Sequence, residues 1–141
     1  MKKTFFTRHD TLYLKHTVDK GRGVFSTKRI RKGEKLEVAP ALILNEKDTA
    51  AIDKTLLVNY VFSIGKLSST LRRKYKIKDM SACSAVVMGI ASFCNHGEKP
   101  NADIQWEEHD ATVYYELIAL RDIAAGEEIC TTYGSGWFDE R

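Results

Sequence analysis

Residues 83–92 are small and apolar, and they empty into Phe93-Cys94-Asn95-His96-Gly97-Glu98-Lys99-Pro100-Asn101. That junction constrains the fold more than any other stretch. The apolar run requires burial. The Asn-His pair requires polar partners, the glycine permits a turn, and Pro-Asn stops whatever precedes it. A buried segment that surfaces at Asn95 and His96 can hold polar groups against a ligand. The same residues also suit an ordinary Asx turn at a surface loop. The rest of the chain decides between the two.

Before the junction, residues 11–18 alternate apolar and polar and read as a strand. Gly21-Arg22-Gly23 follows, leading into Val24-Phe25-Ser26-Thr27; two glycines one residue apart mark a tight turn where backbone can approach a partner closely. Arg31-Lys32-Gly33-Glu34 is a second turn and residues 35–39 a short strand, with Pro40 expected to break the ladder before residues 41–44 resume it. Over residues 49–66 the apolar positions Ile52, Leu56, Leu57, Tyr60, Val61 and Ile64 recur at steps of three and four, predicting a helix with one buried face. Residues 66–78 carry Lys66, Arg72, Arg73, Lys74, Lys76 and Lys78 and read as a solvated loop. Residues 81–91 are expected to form a short buried helix.

After the junction, residues 102–106 and 111–119 look like two strands of a hairpin joined by Glu107-Glu108-His109-Asp110. Then a pattern recurs. Residues 27–36 and 120–129 each place a basic residue, an isoleucine, two spacers, Gly-Glu, one residue and an aliphatic. Two copies of one turn-into-strand unit predict related β-hairpins. The fold class is therefore mainly β with short helices, arranged in small sheets. The chain of 141 residues is expected to be a single domain, 1–141, with a helical insert at about 45–80.

Composition excludes several classes of function. No apolar run approaches the roughly 20 residues of a membrane span. Met1-Lys2-Lys3 begins like a leader, but Arg8, His9 and Asp10 interrupt it before an apolar region develops, so an intracellular, cytoplasmic or nuclear protein is expected. Three scattered cysteines, Cys83, Cys94 and Cys130, read as reduced thiols, and with His96 they lack zinc-ligand spacing, so no metal is expected. The net charge of +3 permits an acidic partner without requiring nucleic acid. Gly21-Arg22-Gly23 is no dinucleotide fingerprint, because no third glycine opens a helix after it. Cys94 beside His96 raises a thiol nucleophile, but Gly97 turns the segment, and inert buried cysteine is the plainer reading.

What gives these fragments meaning is their order: Gly-Arg-Gly-Val-Phe near the start, Phe-Cys-Asn-His-Gly-Glu-Lys-Pro-Asn at two-thirds, and Gly126-Glu127-Glu128-Ile129 followed by Tyr133-Gly134. Together, from about residue 11 to 138, they resemble the SET-domain protein-lysine methyltransferases of the minimal viral and bacterial type. That family's hallmarks are a Gly-x-Gly, an Asn-His-Ser-x-x-Pro-Asn and a Gly-Glu-Glu-(Leu/Ile)-x-x-x-Tyr. Two departures stand out: Gly97 replaces the usual serine, and no cysteine-rich module follows Tyr133.

The resemblance implies a SET (β-clip) fold with a C-terminal segment threaded beneath the Asn-His loop. It implies methyl transfer from S-adenosylmethionine to the side-chain amine of a protein lysine, a histone or another basic protein. It implies cofactor contacts from the backbone at Gly21, Arg22 and Gly23, from the Asn95 side chain and the His96 backbone, and from Trp137 or Phe138 packing over the cofactor. Tyr133 is the implied catalytic residue. Tyr60, Thr131 and Tyr133 are the implied walls of the lysine channel, with Thr131 where a Phe or Tyr often limits the number of methyls added. The insert is implied as one wall of a peptide groove, where a substrate could add as an extra strand. The rival expectation is a SET-fold module that binds a peptide or nucleic acid without catalysis.

Overall fold

The computed structural model describes residues 6–132. Among the described residues ten strands build two sheets. The alternating residues form β2 (Leu12–Thr17), which pairs antiparallel with β3 (Gly21–Ser26). Gly21 lies inside this hairpin's second strand, with φ +72°, and the turn itself is residues 18–20. Gly21 has nothing within 4 Å of a Cβ position, so its need for glycine is conformational.

The strand expected to break at Pro40 runs unbroken as β4 (Lys35–Leu44). One edge of β4 carries β9 (Thr112–Ala119) over residues 35–41. The opposite edge carries β1 (Thr7–Arg8) at Glu37 and Val38, and β6 (Ser84–Val87) from Ala41 to Leu44. Pro40 falls between those two ladders, where a missing N–H costs no pairing, and its carbonyl accepts from Met88 N at 3.0 Å.

The insert corrects the expectation of one long helix over residues 49–66. Only α1 (Glu46–Ile52) is α-helical, capped by Asn45, whose side chain accepts from Asp48 N. Thr55 then caps a 3₁₀ turn, Leu56–Tyr60, and the chain extends into β5 (Val61–Phe62), which pairs with β6. Neither α1 nor the 3₁₀ turn buries a residue. The apolar positions of β5 join the sheet edge instead. The basic stretch is not a loop either. It holds α2 (Ser69–Lys74), anchored by the buried Leu71 and closed by a Schellman pair: Lys76 N to Arg73 O at 3.2 Å and Ile77 N to Arg72 O at 2.8 Å. Residues 81–91, expected as a helix, contain β6 between short 3₁₀ turns at Met80–Ala82 and Ile90–Phe93. The β-branched Val86 and Val87 favour that outcome.

The hairpin after the junction is longer than expected. β8 (Ala102–His109) includes Glu107 and Glu108 in its ladder with β9, and the turn is Asp110-Ala111. Both turn residues have positive φ, 49° and 57°, as a two-residue type I′ turn demands. Relieving the left-handed alanine returns roughly 1–2 kcal/mol, against about 0.4–1 kcal/mol lost to the freer unfolded chain. Ala111→Gly is therefore expected to stabilise the fold by about 0.5 kcal/mol, read as a rise of roughly 1–3 °C in Tm.

The recurring ten-residue pattern is a pseudo-two-fold pair. Ile30 and Ile123 exchange backbone hydrogen bonds at 2.9 and 2.8 Å. Gly33 N donates to Ala119 O and Gly126 N to Ser26 O, each the residue just before the other copy. Glu34 accepts from Arg31 N and Glu127 from Ala124 N. The first copy feeds β4 and the second feeds β10 (Glu128–Thr131). Ile30, Leu36, Ile123 and Ile129 from these units are fully buried, and with Tyr115 and Leu117 of β9 they form the core between the sheets.

Candidate functional site

The second sheet brings the three motifs together. β10 pairs antiparallel with β3, and parallel with β7 (Asn95–His96), in the order β2-β3-β10-β7. The junction loop then grips β10 from both ends. Gly97 N donates to Thr131 O at 3.0 Å, Asn101 N to Cys130 O at 3.1 Å, Cys130 N to Asn101 Oδ1 at 2.9 Å and Asn101 Nδ2 to Glu128 O at 2.8 Å. Asn101 is 3% exposed, so its amide is committed to this clasp. A Cβ on Gly97 would sit 2.9 Å from the Cys130 Cβ. That contact is why glycine stands where the resemblance expects serine: Cys130 fills the space.

Asn95 is held by its own amide. Its Nδ2 donates to Arg22 O at 3.1 Å and to Glu128 Oε2 at 2.7 Å. Both N–H bonds are used, which leaves Oδ1 as the atom able to accept from a ligand. The adjacent Glu127 and Glu128 take different partners. Glu127 does accept from Ala124 N, but Glu128 orients Asn95. Gly23 lies against the same pair. A Cβ there would meet Glu128 Oε2 at 2.7 Å and Asn95 Nδ2 at 3.2 Å. The glycine makes room for that pair, and Gly23 is buried rather than facing the cavity.

The cavity itself, of about 360 Å³, is lined by Lys20, Gly21, Arg22, Asn59, Tyr60 and residues 92–96. Phe93 is its aromatic centre. The Arg22 guanidinium lies 4.8 Å from the Phe93 ring centroid, and Tyr60 meets the same ring edge-on at 6.2 Å. A much narrower space of about 30 Å³ shares Asn59, Tyr60, Ser92, Cys94 and His96 with the first and adds Val61, Phe62, Thr131 and Thr132. Thus Gly21, Arg22, Asn95, His96 and Tyr60 come together at the wide space, and Tyr60 and Thr131 at the narrow one. Tyr133, Trp137 and Phe138 lie outside the described residues. Phe93 and Asn59 are site residues to which sequence reasoning gave no role. Only Phe93 carried a signal, as an aromatic next to the Asn-His pair.

The thiols are not nucleophiles. Burial, reinforced by Cys130, Glu37 and Glu128, pushes the Cys94 thiol far above its ordinary value. Burial with Glu46 nearby pushes Cys83 up to about 11, and burial also raises Cys130. A thiol kept protonated does not attack, so the Cys94–His96 reading falls away. Among the described residues no group of three or more His, Cys, Asp or Glu could hold a metal.

Comparison with known proteins agrees with this geometry. The SET domain family model matches residues 21–134. Over 133 residues the chain is 27% identical to the Schizosaccharomyces pombe histone-lysine N-methyltransferase, H3 lysine-37 specific, covering 92% of this chain and 78% of that one. Over 64 residues it is 39% identical to the Gibberella zeae histone-lysine N-methyltransferase SET9, covering 45% of this chain and only 9% of that longer protein. The fold superimposes on the Neurospora SET domain protein DIM-5, a histone lysine methyltransferase, with a TM-score of 0.62 at 21% identity, covering 88% of this chain and 52% of that chain. The chain therefore belongs to the SET-domain family, and the relatives it falls among are histone-lysine methyltransferases.

Proposed function

We propose that this protein transfers a methyl group from S-adenosylmethionine to the side-chain amine of a lysine in a protein, with a histone tail as the substrate class. The observation that carries the reading is the pair of spaces, one wide and one narrow, that meet along Tyr60, Ser92, Cys94 and His96. The wide one suits the donor. It offers the Asn95 Oδ1 acceptor, an aromatic face at Phe93 and the Arg22 and Lys20 cations for a carboxylate. Bound there, S-adenosylmethionine would supply an electrophilic methyl on a sulfonium.

The chain's residues then act by position and exclusion. Tyr60 and Phe62 wall the narrow space with aromatic surface. A lysine entering it loses water, which disfavours the charged ammonium and leaves the lone pair that attack requires. Holding amine and donor at one junction turns an encounter into an oriented step. Tyr133 follows the narrow space by one residue and is the group assigned to orient the amine. Trp137 and Phe138 are assigned to cover the donor. The histone class rests on the relatives' own substrates. No helix among the described residues is long and apolar enough to cross a membrane. The histone substrate named for the Schizosaccharomyces pombe relative supports action inside the cell, in the nucleus or cytoplasm. Residues 45–80 are assigned as one wall of the peptide groove within a single 1–141 unit.

The test is transfer of tritium from labelled donor to core histones, with the labelled lysine located by mass spectrometry. Incorporation into lysine is expected. Donor binding without transfer to any protein would leave a peptide-binding module, and no donor binding would end the reading. Thr131 is 2% exposed and small. Its side chain leaves room beside the amine, so Thr131→Phe is expected to shift products toward fewer methyls in the same assay.

A further inference from the structure

We infer that Glu37 and Tyr115 form a clamp beneath the donor site, and that they are positioning residues acting through the Ile90–Phe93 turn. Glu37 is a carboxylate that is 2% exposed within β4, and Tyr115 of β9 is 0% exposed. Three donors converge on its two oxygens. Ile90 N reaches Oε2 at 2.9 Å, Ala91 N reaches Oε1 at 3.0 Å, and the Tyr115 hydroxyl donates to Oε1. Arg8 stands further off, 3.8 Å from Oε2.

The turn needs this help because it has no cap of its own. Its N-cap residue is Gly89, which offers no side chain, and its first free N–H groups are those that Glu37 accepts. Gly89 is extended, with φ −167°, so any residue would suit its backbone. The obstacle is space. A Cβ there would lie 2.2 Å from the Tyr115 hydroxyl and 2.5 Å from Glu37 Oε2. Glycine thus lets the clamp close directly on the turn. The Tyr115 phenol stays a donor, because burial and the adjacent carboxylate both hold its proton on.

Four residues further along, the consequences reach the site. The same turn ends at Phe93, the ring that Arg22 and Tyr60 pack against, and two residues on stands Asn95. Two hydrogen bonds from the sheet to the turn, with a third inside the sheet holding their acceptor, therefore set where that ring and that amide sit. The clamp touches neither of the two spaces.

The inference rests on the donor-site reading, and its test separates the two. Glu37→Gln keeps the shape but turns one acceptor into a donor facing a backbone N–H. Tyr115→Phe removes the third bond alone, and Gly89→Ala drives the clamp apart. For Glu37→Gln and Gly89→Ala, the KM for S-adenosylmethionine is expected to rise at least tenfold while the peptide KM stays within twofold; Tyr115→Phe should move it less, in the same direction. A merely structural role would lower kcat and thermal stability with both KM values unchanged, and that result overturns the clamp. Amide exchange gives a readout free of the donor. Ile90 and Ala91 N–H groups should exchange at least tenfold faster in Glu37→Gln, with the β8–β9 hairpin unchanged. Unaltered exchange at those two amides overturns the inference even if wild-type protein binds no donor, whereas failure of wild-type binding alone overturns only the donor-site reading.

Discussion

Asn95→Asp is expected to damage this protein more than Asn95→Ala, although aspartate is the closer match in shape. The native amide donates to both Arg22 O and Glu128 Oε2. Alanine loses two hydrogen bonds, each worth about 0.5–1.5 kcal/mol net. Aspartate loses the same two and sets a second carboxylate 2.7 Å from Glu128, where the amide nitrogen had been. Two unit charges at about 4 Å repel by ~1 kcal/mol in water and by ~4 kcal/mol at the effective dielectric near a protein surface. Both groups are only half-buried, so the added cost belongs in the lower part of that range.

The two variants differ in pH dependence. A carboxylate pair this close holds a proton more tightly in the folded chain than in the unfolded one. Its stability is complete below the unfolded carboxylate range and is lost as pH rises through the pair's raised folded value. The Asn95→Asp penalty should therefore be small near pH 4–5 and large at pH 8, while the Asn95→Ala penalty stays flat. Thermal unfolding of both variants across that range is the measurement. At pH 8 the lost energies sum to about 2 kcal/mol or more of folding stability in Asn95→Asp, and donor affinity should fall with them because Oδ1 is no longer held toward the donor. Parallel curves for the two variants would show that Asn95 and Glu128 do not meet.

Why sequence reasoning reached the site but not its supports follows from sequence distance. Gly21, Arg22, Asn95 and His96 could be placed together because each sits in a short, ordered pattern that carries its own chemistry. Glu37 and Tyr115 sit in ordinary strand context. What gives them meaning is contact across 54 and 78 positions, and no local pattern encodes it. Glu128 was visible as a glutamate before a strand, but its partner Asn95 is 33 residues away.

The fold divides in the same way. Alternation in β9 survived folding because one face of the strand meets the core, whereas β2 is held by its pairing with β3 and leaves Leu14 exposed. The insert misled because its three- and four-residue spacing was real but its face was not buried. Leu56, Leu57 and Val58 remain exposed, and Val61, Phe62 and Ile64 take up the sheet edge and core instead. Thr55 caps a new turn at the point where the helix was expected to continue. In α2 the reverse held: a strongly basic segment needed only Leu71 buried and a C-terminal Schellman pair to be helical.

Tyr133→Phe is the complementary variant, expected to spare binding and remove rate. Thr131 ends β10 inside the clasp of the junction loop, Thr132 lines the narrow space, and Tyr133 is the next residue in the sequence. On the proposed reading the Tyr133 hydroxyl bears on the amine at the moment of transfer, whereas residues on β3 and β7 hold the donor's polar ends. Phenylalanine keeps the ring and loses only the hydroxyl. Removing one preorganised polar group from a reacting centre typically lowers kcat by about 10²–10³-fold. The expected outcome is thus a kcat loss of that size with donor affinity within about threefold of wild type, the opposite split from Asn95→Asp. Single-turnover transfer with saturating labelled donor measures the first quantity, and equilibrium binding of the unlabelled donor measures the second. If kcat survives, the oxygen that orients the amine must belong to a different residue, with Tyr60 the first to test, because among the described residues it is the tyrosine that lines both spaces.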